Sequence, residues 1–356
     1  MSRPLPYSPE IENPDPAEPE LFERIAAVMR AGGRHARDGE GPGGRLSHVQ
    51  TLGALKGELV VRADLPPELA QGVFAQARTF PVVARLSHLP GEVLDNRGVS
   101  SPRGLSLKLF GVDGPALPGH EGGTQDFVLE TAPVFNATCP ATFLAAISTV
   151  EASAPFPQPV KAGISAAARG ANRVLDAVGL PSANLDVIGH PRLHPLSERY
   201  YSQGPMRWGD YVAKLAAFPA DPQADLPFHA DDADALAQAV AGHIARAGAE
   251  WTLAAQLRTD ADAMPIENAR QPWPEELSAY RPVATLRFPP QQACGADRVR
   301  AIDALAFAPA HSLEAHRPLG GIMRARLALY PQLSRERRAA AGLPLIEPSG
   351  PDAIAD

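Results

Sequence analysis

The chain has 356 residues, 45% hydrophobic and 21% charged, with a net charge of −7. Its length allows one large domain or two with a sizeable core, and its acidic balance gives no reason to expect nucleic acid or an anionic membrane as partner. Four lysines stand against twenty-nine arginines, a compositional bias, so an arginine's position carries more information than the number of arginines.

The opening residues, MSRPLPYSPEIENPDPAEPE, place acids and prolines where a signal peptide carries a basic end and an apolar run. Residues 1–19 read as an extended arm over the surface. LFERIAAVMRA (21–31) sets Leu21, Ile25, Val28 and Met29 on one stripe, a helix expected to stop at Gly32 and Gly33. GEGPGGR (39–45) reads as a flexible turn, because no strand precedes it and no Gly-Lys-Ser/Thr follows. The next stretch, LSHVQTLGALKGELVVRA, becomes β-rich from Glu58 to Val61. A short helix is predicted over 67–78, then strands at 80–89, 103–112 and 126–135, where apolar and polar residues alternate. Helices follow over 140–150, 158–180 and 231–249. Strand character returns at 250–260 and 280–291, on either side of the proline-bounded PIENARQPWPEEL.

No segment approaches the roughly 18 apolar residues of a membrane span, and the expected location is cytoplasmic. Cys139 and Cys294 are too few for a disulfide framework or a cysteine zinc cage. Strands come first, with helices between and after, which predicts an α+β fold: an antiparallel barrel with helices outside rather than a parallel sheet. The expected boundaries are 1–19 for the arm, 20–345 for the barrel domain and 346–356 for a flexible tail.

In LGGIMRARLALYPQLSRERR, from Leu319, Arg326 lies one helical turn before Tyr330. Side chains four apart are about 5–6 Å apart at Cβ, so the guanidinium can favour an ionised phenol that would otherwise titrate near 10. The same pattern also suits a packed amphipathic helix with a solvated arginine face. His190 and His194 have metal-like spacing but are split by Pro191 and read as loop residues. His311 and His316 read as structural. There is no Gly-x-Ser-x-Gly elbow, so a serine hydrolase is not indicated.

Taken in order, RLSH (45–48), VARLSHL (83–89), SPRGLSLKLF (101–110), DFVLETAPVFNATCPATF (126–143), ALAFAP (304–309) and RLALYPQLSRERR (326–338) resemble the haem catalase family. The closest resemblance is to its short catalase-like, catalase-related peroxidase branch, over roughly residues 40–340. That resemblance implies an eight-stranded antiparallel barrel around which the helices gather. It implies a haem, of b type, with Tyr330 as the iron's axial ligand and Arg326 setting its ionisation. His48 would be the distal acid/base that helps peroxide form a ferryl species, and Ser87 would position it. Arg45, Arg85 and Arg337 would pair with the propionates, and Phe143 and Phe307 would contact the ring. Self-association is also implied.

Two departures bear on activity. Glu130 stands where the family places its distal asparagine, and Ser101 where it has an acidic channel residue. Glu130 could act as a second acid/base group, raise the pKa of His48, or pair elsewhere with an arginine. The expected function is a haem peroxidase acting on hydrogen peroxide or organic hydroperoxides with a separate electron donor. The alternatives are rearrangement of a fatty-acid hydroperoxide, a haem-storing or sensing barrel without turnover, and a barrel binding another apolar ligand.

Overall fold

A computed structural model of the chain describes residues 3–40, 45–153, 156–180, 182–221, 226–343 and 347–354. Among these residues nine strands form one antiparallel sheet: β1 (Thr51–Val61), β2 (Thr79–His88), β3 (Arg103–Val112), β4 (Gly123–Glu130), β5 (Tyr200–Tyr201), β6 (Met206–Trp208), β7 (Tyr211–Pro219), β8 (Ala249–Leu257) and β9 (Arg281–Phe288). The order runs β4-β3-β2-β1-β9-β8-β7, and two-residue β5 pairs with both β7 and β4. That pairing closes an eight-stranded barrel and leaves β6 outside, on the edge of β7. Closure removes the sheet edges.

The period of two along each strand decides what lies inside. Val82, Ala84 and Leu86 of β2, Leu105, Leu107 and Leu109 of β3, and Phe127 and Leu129 of β4 fill the interior with Leu215 of β7 and Leu253 of β8. The alternate residues, among them Arg85, Ser87, Lys108, Asp126 and Glu130, therefore lie on the outer face. Gly57 lets β1 approach β9, since a Cβ there would lie 2.1 Å from the Arg287 carbonyl oxygen.

Among the described residues seven helices surround the barrel: α1 (Glu18–Glu40), α2 (Pro140–Ser153), α3 (Gln158–Ala177), α4 (Ala183–Gly189), α5 (Ala235–Ala247), α6 (Ala296–Ala304) and α7 (Gly321–Ala340). The helix expected to end at Gly32 runs on to Glu40. Two glycines cost a helix about 1 kcal/mol each relative to alanine, which weakens a helix without ending it; Ile25, Ala26 and Met29, before the glycines, pack on α2 and α7. No α-helix forms over 67–78; a single 3-10 turn, Gly72–Phe74, stands there, entered at Gly72 with φ +56°. Most of the glycine turn expected at 39–45 lies outside the described residues.

The arm runs over the surface. The Leu5 amide donates to the Arg258 carbonyl and that of Tyr7 to the Asp210 carbonyl. Arg324 of α7 gathers Glu12, Glu18 and Glu267 at 2.6–2.9 Å, tying arm and loop to the start of the helix. Residues 347–354, part of the expected tail, pack against the barrel: Ile354 is fully buried beside Phe110 and Ile302, and Glu347 lies 2.8 Å from Lys108. Among the described residues no helix is long and apolar enough to cross a membrane.

Candidate active site

Register assembles the site on the outer face of β2, β3 and β4. Ser87 pairs with Gly104, and Gly104 with Glu130, so the three form one row across the strands. Arg85, Ser106 and Val128 form the next row, and Val83, Lys108 and Asp126 the third. Neighbouring strands lie about 4.8 Å apart, which sets Ser87 and Glu130 one strand on either side of Gly104.

The gap above Gly104 is filled by an imidazole. A Cβ at 104 would lie 2.8 Å from Cε1 and Nδ1 of His48 and 2.9 Å from Ser87 Oγ. His48 Nδ1 is 3.0 Å from Ser87 Oγ, which leaves Nε2 as the ring nitrogen able to exchange a proton. The backbone there is strained: His48 has φ 53°, a left-handed conformation that costs a non-glycine residue on the order of 1–3 kcal/mol. Three contacts hold it. The His48 amide donates to the Leu89 carbonyl at 2.7 Å, its carbonyl accepts from Arg85 Nη2 at 2.8 Å, and its ring meets Ser87. Burial, then Arg85, Arg326 and Arg45, push the imidazole's pKa down to about 3. Of the three roles open to Glu130, raising that pKa is corrected: desolvation and three cations set it, and the ring is neutral near pH 7.

Glu130 is half-buried, and it makes no ion pair among the described residues. Burial lifts its pKa to about 7; Arg326 opposes the rise, Asp186 adds to it, and a hydrogen bond with Gln203 lowers it. Beside it lies a buried ionic chain: Arg103 is 3.0 Å from Glu198, Glu198 is 2.7 Å from His190, and His190 is 2.9 Å from Asp186. His194 turns away from this chain and caps a turn by accepting from the Leu196 amide. His316 accepts from the Val73 amide.

The three arginines expected to act together do converge. Arg85 Nε donates to Asp303 at 2.9 Å, Arg45 Nε lies 3.7 Å from the same carboxylate, and Arg45 Nη2 and Arg337 Nη2 both donate to the Leu305 carbonyl, at 2.8 and 3.2 Å. Arg45 pays electrostatically for this company: burial, then Arg85 and Arg337, lower its pKa well below the ordinary value, with Asp303 opposing.

On α7, the Arg326 guanidinium carbon lies 5.0 Å from the Tyr330 ring centroid, a cation over the ring rather than a hydrogen bond to the phenol oxygen. Arg326 is buried, and its Nε has no hydrogen-bond partner. Phe143 of α2 meets Phe135 edge-on at 5.2 Å and packs against the α7 cluster of Leu329 and Leu333. Phe307 lies apart, in an apolar cluster with Ala54, Val83, Phe110 and Ile354, with Lys108 Nζ 5.8 Å from its ring centroid. Asp303, Gly104 and Gln203 belong to the site without having been singled out from sequence. Only Gly104 carried a usable signal, a glycine inside an otherwise regular strand.

No protein-family model and no curated protein sequence matches the chain. Solved structures do. A fungal catalase matches with a TM-score of 0.62 at 17% identity, over 88% of this chain and 62% of that one. Catalase A from Saccharomyces cerevisiae gives 0.61 at 17%, over 88% and 64%. A bacterial catalase gives 0.56 at 16%, over 98% and 67%. The chain thus spans less than two thirds of the length of the first two. The closed eight-stranded antiparallel barrel with helices packed outside it is a catalase-like fold.

Proposed function

We propose that the protein is a short catalase-related haem peroxidase, reducing hydrogen peroxide or organic hydroperoxides with electrons from a separate donor, and a poor catalase. The observation that carries this reading is the row Ser87, Gly104, Glu130 with the His48 ring seated on it. The residues present fit a haem. Arg326 keeps a buried Nε without a hydrogen-bond partner, and the Arg45, Arg85 and Arg337 cluster suits two carboxylates. Tyr330 would hold the iron, the three arginines the propionates, and Phe143 the ring. Bound there, haem supplies the redox centre for peroxide cleavage.

The chain's own part is proton handling. His48, neutral at pH 7, takes a proton from the hydroperoxide at Nε2 and returns it to the departing oxygen. Ser87 holds the ring in place. Glu130, close to half-protonated at neutral pH, is a second donor and acceptor on the same wall. With Glu130 and Ser101 where the resemblance leads one to expect an asparagine and an acid, steering of a small polar peroxide is weakened, and a bulkier hydroperoxide is the better substrate.

Visible spectra of the haem-loaded protein before and after peroxide test haem binding and reaction together. Oxygen evolution, donor oxidation and chromatography of products from a lipid hydroperoxide then separate the activities. A missing Soret band, or oxygen evolution at the rate of ordinary catalases, refutes the proposal; rearranged lipid products without a donor replace it with hydroperoxide isomerisation.

A further inference from the structure

The row that seats His48 does not end at Glu130. Register carries it one strand further, because Glu130 pairs with Tyr201 of β5, and Tyr201 in turn with Ala216 of β7. Residues paired across antiparallel strands share a face. Tyr201 therefore lies on the outer wall beside Glu130, while Tyr200 fills the barrel interior. At about 4.8 Å per strand, the Cα of Tyr201 is roughly 10 Å from that of Gly104.

Aromatic rings lead outward from there. The Tyr201 ring centroid lies 6.0 Å from those of Tyr280 and Phe218, and these two lie 5.4 Å apart, all edge-on. The three side chains are half-buried, so the cluster reaches solvent. A cation held over a ring's negative face opposes loss of an electron from that ring. Tyr330 lies under Arg326, Tyr7 under Arg207 and Trp273 under Lys214, whereas Arg199 lies over Phe218 rather than over either phenol of the cluster. Tyr200, Trp208 and Trp251 are fully buried. Burial raises the pKa of both Tyr201 and Tyr280; Arg199 opposes the rise at Tyr201, and the exposed Glu275 carboxylate adds to it at both. Both phenols are thus protonated at neutral pH, and an electron leaves either one only together with its proton.

We propose that Tyr201 and Tyr280 are the entry point for electrons from a bulky phenolic donor that cannot reach His48, a role that rests on the peroxidase function proposed above. Tyr201 gives one electron to the oxidised site and its phenolic proton to Glu275, leaving a neutral phenoxyl radical. A donor phenol at the surface restores it, directly or through Tyr280, by giving up a hydrogen atom. Phenol is the matching class, because hydrogen transfer between two phenols is close to thermoneutral. The proton on Glu275 returns through solvent to the peroxide oxygens. Two such cycles convert one hydroperoxide and two donor phenols into alcohol, water and two donor phenoxyl radicals, so atoms and electrons balance.

Tyr201→Phe and Tyr280→Phe keep the ring contacts and remove the hydroxyls. When the haem-loaded wild type is mixed with peroxide and freeze-quenched, electron paramagnetic resonance should show a tyrosyl radical, and Tyr201→Phe should reduce it about tenfold. Oxidation of syringol coupled to dextran, too large to reach His48, should fall about tenfold in both variants, while the reaction with peroxide, followed by stopped flow, keeps its wild-type rate. A protein with no Soret band, or none that responds to peroxide, overturns this role together with the function it rests on. Normal reaction with peroxide but no tyrosyl signal, or a signal and dextran oxidation untouched in Tyr201→Phe, overturns this role alone.

Discussion

Adding one methyl group at Gly104 should disable the site while sparing the fold. The backbone there does not adopt a positive φ, so alanine is conformationally allowed, and the strand keeps its ladder. The new Cβ would sit 2.8 Å from His48 Cε1 and Nδ1, whereas ordinary contact begins at 3.4 Å. The ring must therefore retreat by about 0.6 Å, the difference between those distances, or tilt. Ser87 Oγ, 2.9 Å from the same point, blocks a simple slide, so the 3.0 Å contact between His48 and Ser87 breaks. Its loss costs about 1 kcal/mol, while a misplacement approaching 1 Å can cost about 100-fold in rate. Gly104→Ala should thus react with peroxide roughly 10 to 100 times more slowly, with its Soret band intact and its stability lowered by about 1 kcal/mol. Stopped-flow spectroscopy of the haem-loaded variant reads the rate, and chemical denaturation reads the stability. A wild-type rate would show that His48 is not the proton-transferring group.

Glu130→Gln should remove an inflection near pH 7 from the rate of donor oxidation; a profile identical to wild type would exclude the carboxyl from turnover. Acid should destabilise the fold through two fully buried imidazoles. Burial lowers the pKa of both His88 and His316 from 6.5 to about 3, so the folded state binds fewer protons, and stability complete above about pH 6.5 is lost as pH falls toward 3. At pH 5 this amounts to about 2 kcal/mol apiece, which denaturation midpoints at pH 7 and 5 would show; equal midpoints would contradict the sign. Arg324→Met leaves Glu12, Glu18 and Glu267 facing one another in a partly buried, partly screened cluster and should cost about 1–3 kcal/mol, with faster proteolysis of the arm. An unchanged cleavage rate would mean that the arm is held elsewhere.

What could be read from sequence follows from which surfaces the folded chain keeps chemically distinct. β2 and β3 alternate clearly because their outer faces, although buried, carry Arg85, Ser87, Ser106 and Lys108 against an aliphatic interior. β7, YVAKLAAFP, has apolar or alanine residues on both faces, and buried cover on both sides erases the period. β5 has two residues and no signature of its own, yet it closes the barrel. In the site, Arg326 and Tyr330 were legible because a helical turn fixes their separation. The contact between His48 and Ser87 was not, since it joins residues 39 apart through an irregular segment; the resemblance suggested it, and spacing could not. Asp303 escaped notice because its meaning depends on three arginines from β2, α7 and the segment before β1.

The cost of these rows helps to explain the site. Arg85, Lys108 and Asp126 are almost wholly buried, and each row has a neighbour, Val83 or Val128, showing that an aliphatic residue fits the same wall. Buried ion pairs seldom stabilise more than apolar residues of equal volume would, so packing alone does not account for the charges. Direction does. Arg85 grips the carbonyl of His48 with one nitrogen and Asp303 with another, so the group that holds the strained imidazole is the one that orients the arginine cluster. A change at Asp303 should therefore be felt at His48 without any contact between them, because Arg85 joins the row that seats His48 to the cluster of Arg45, Arg85 and Arg337.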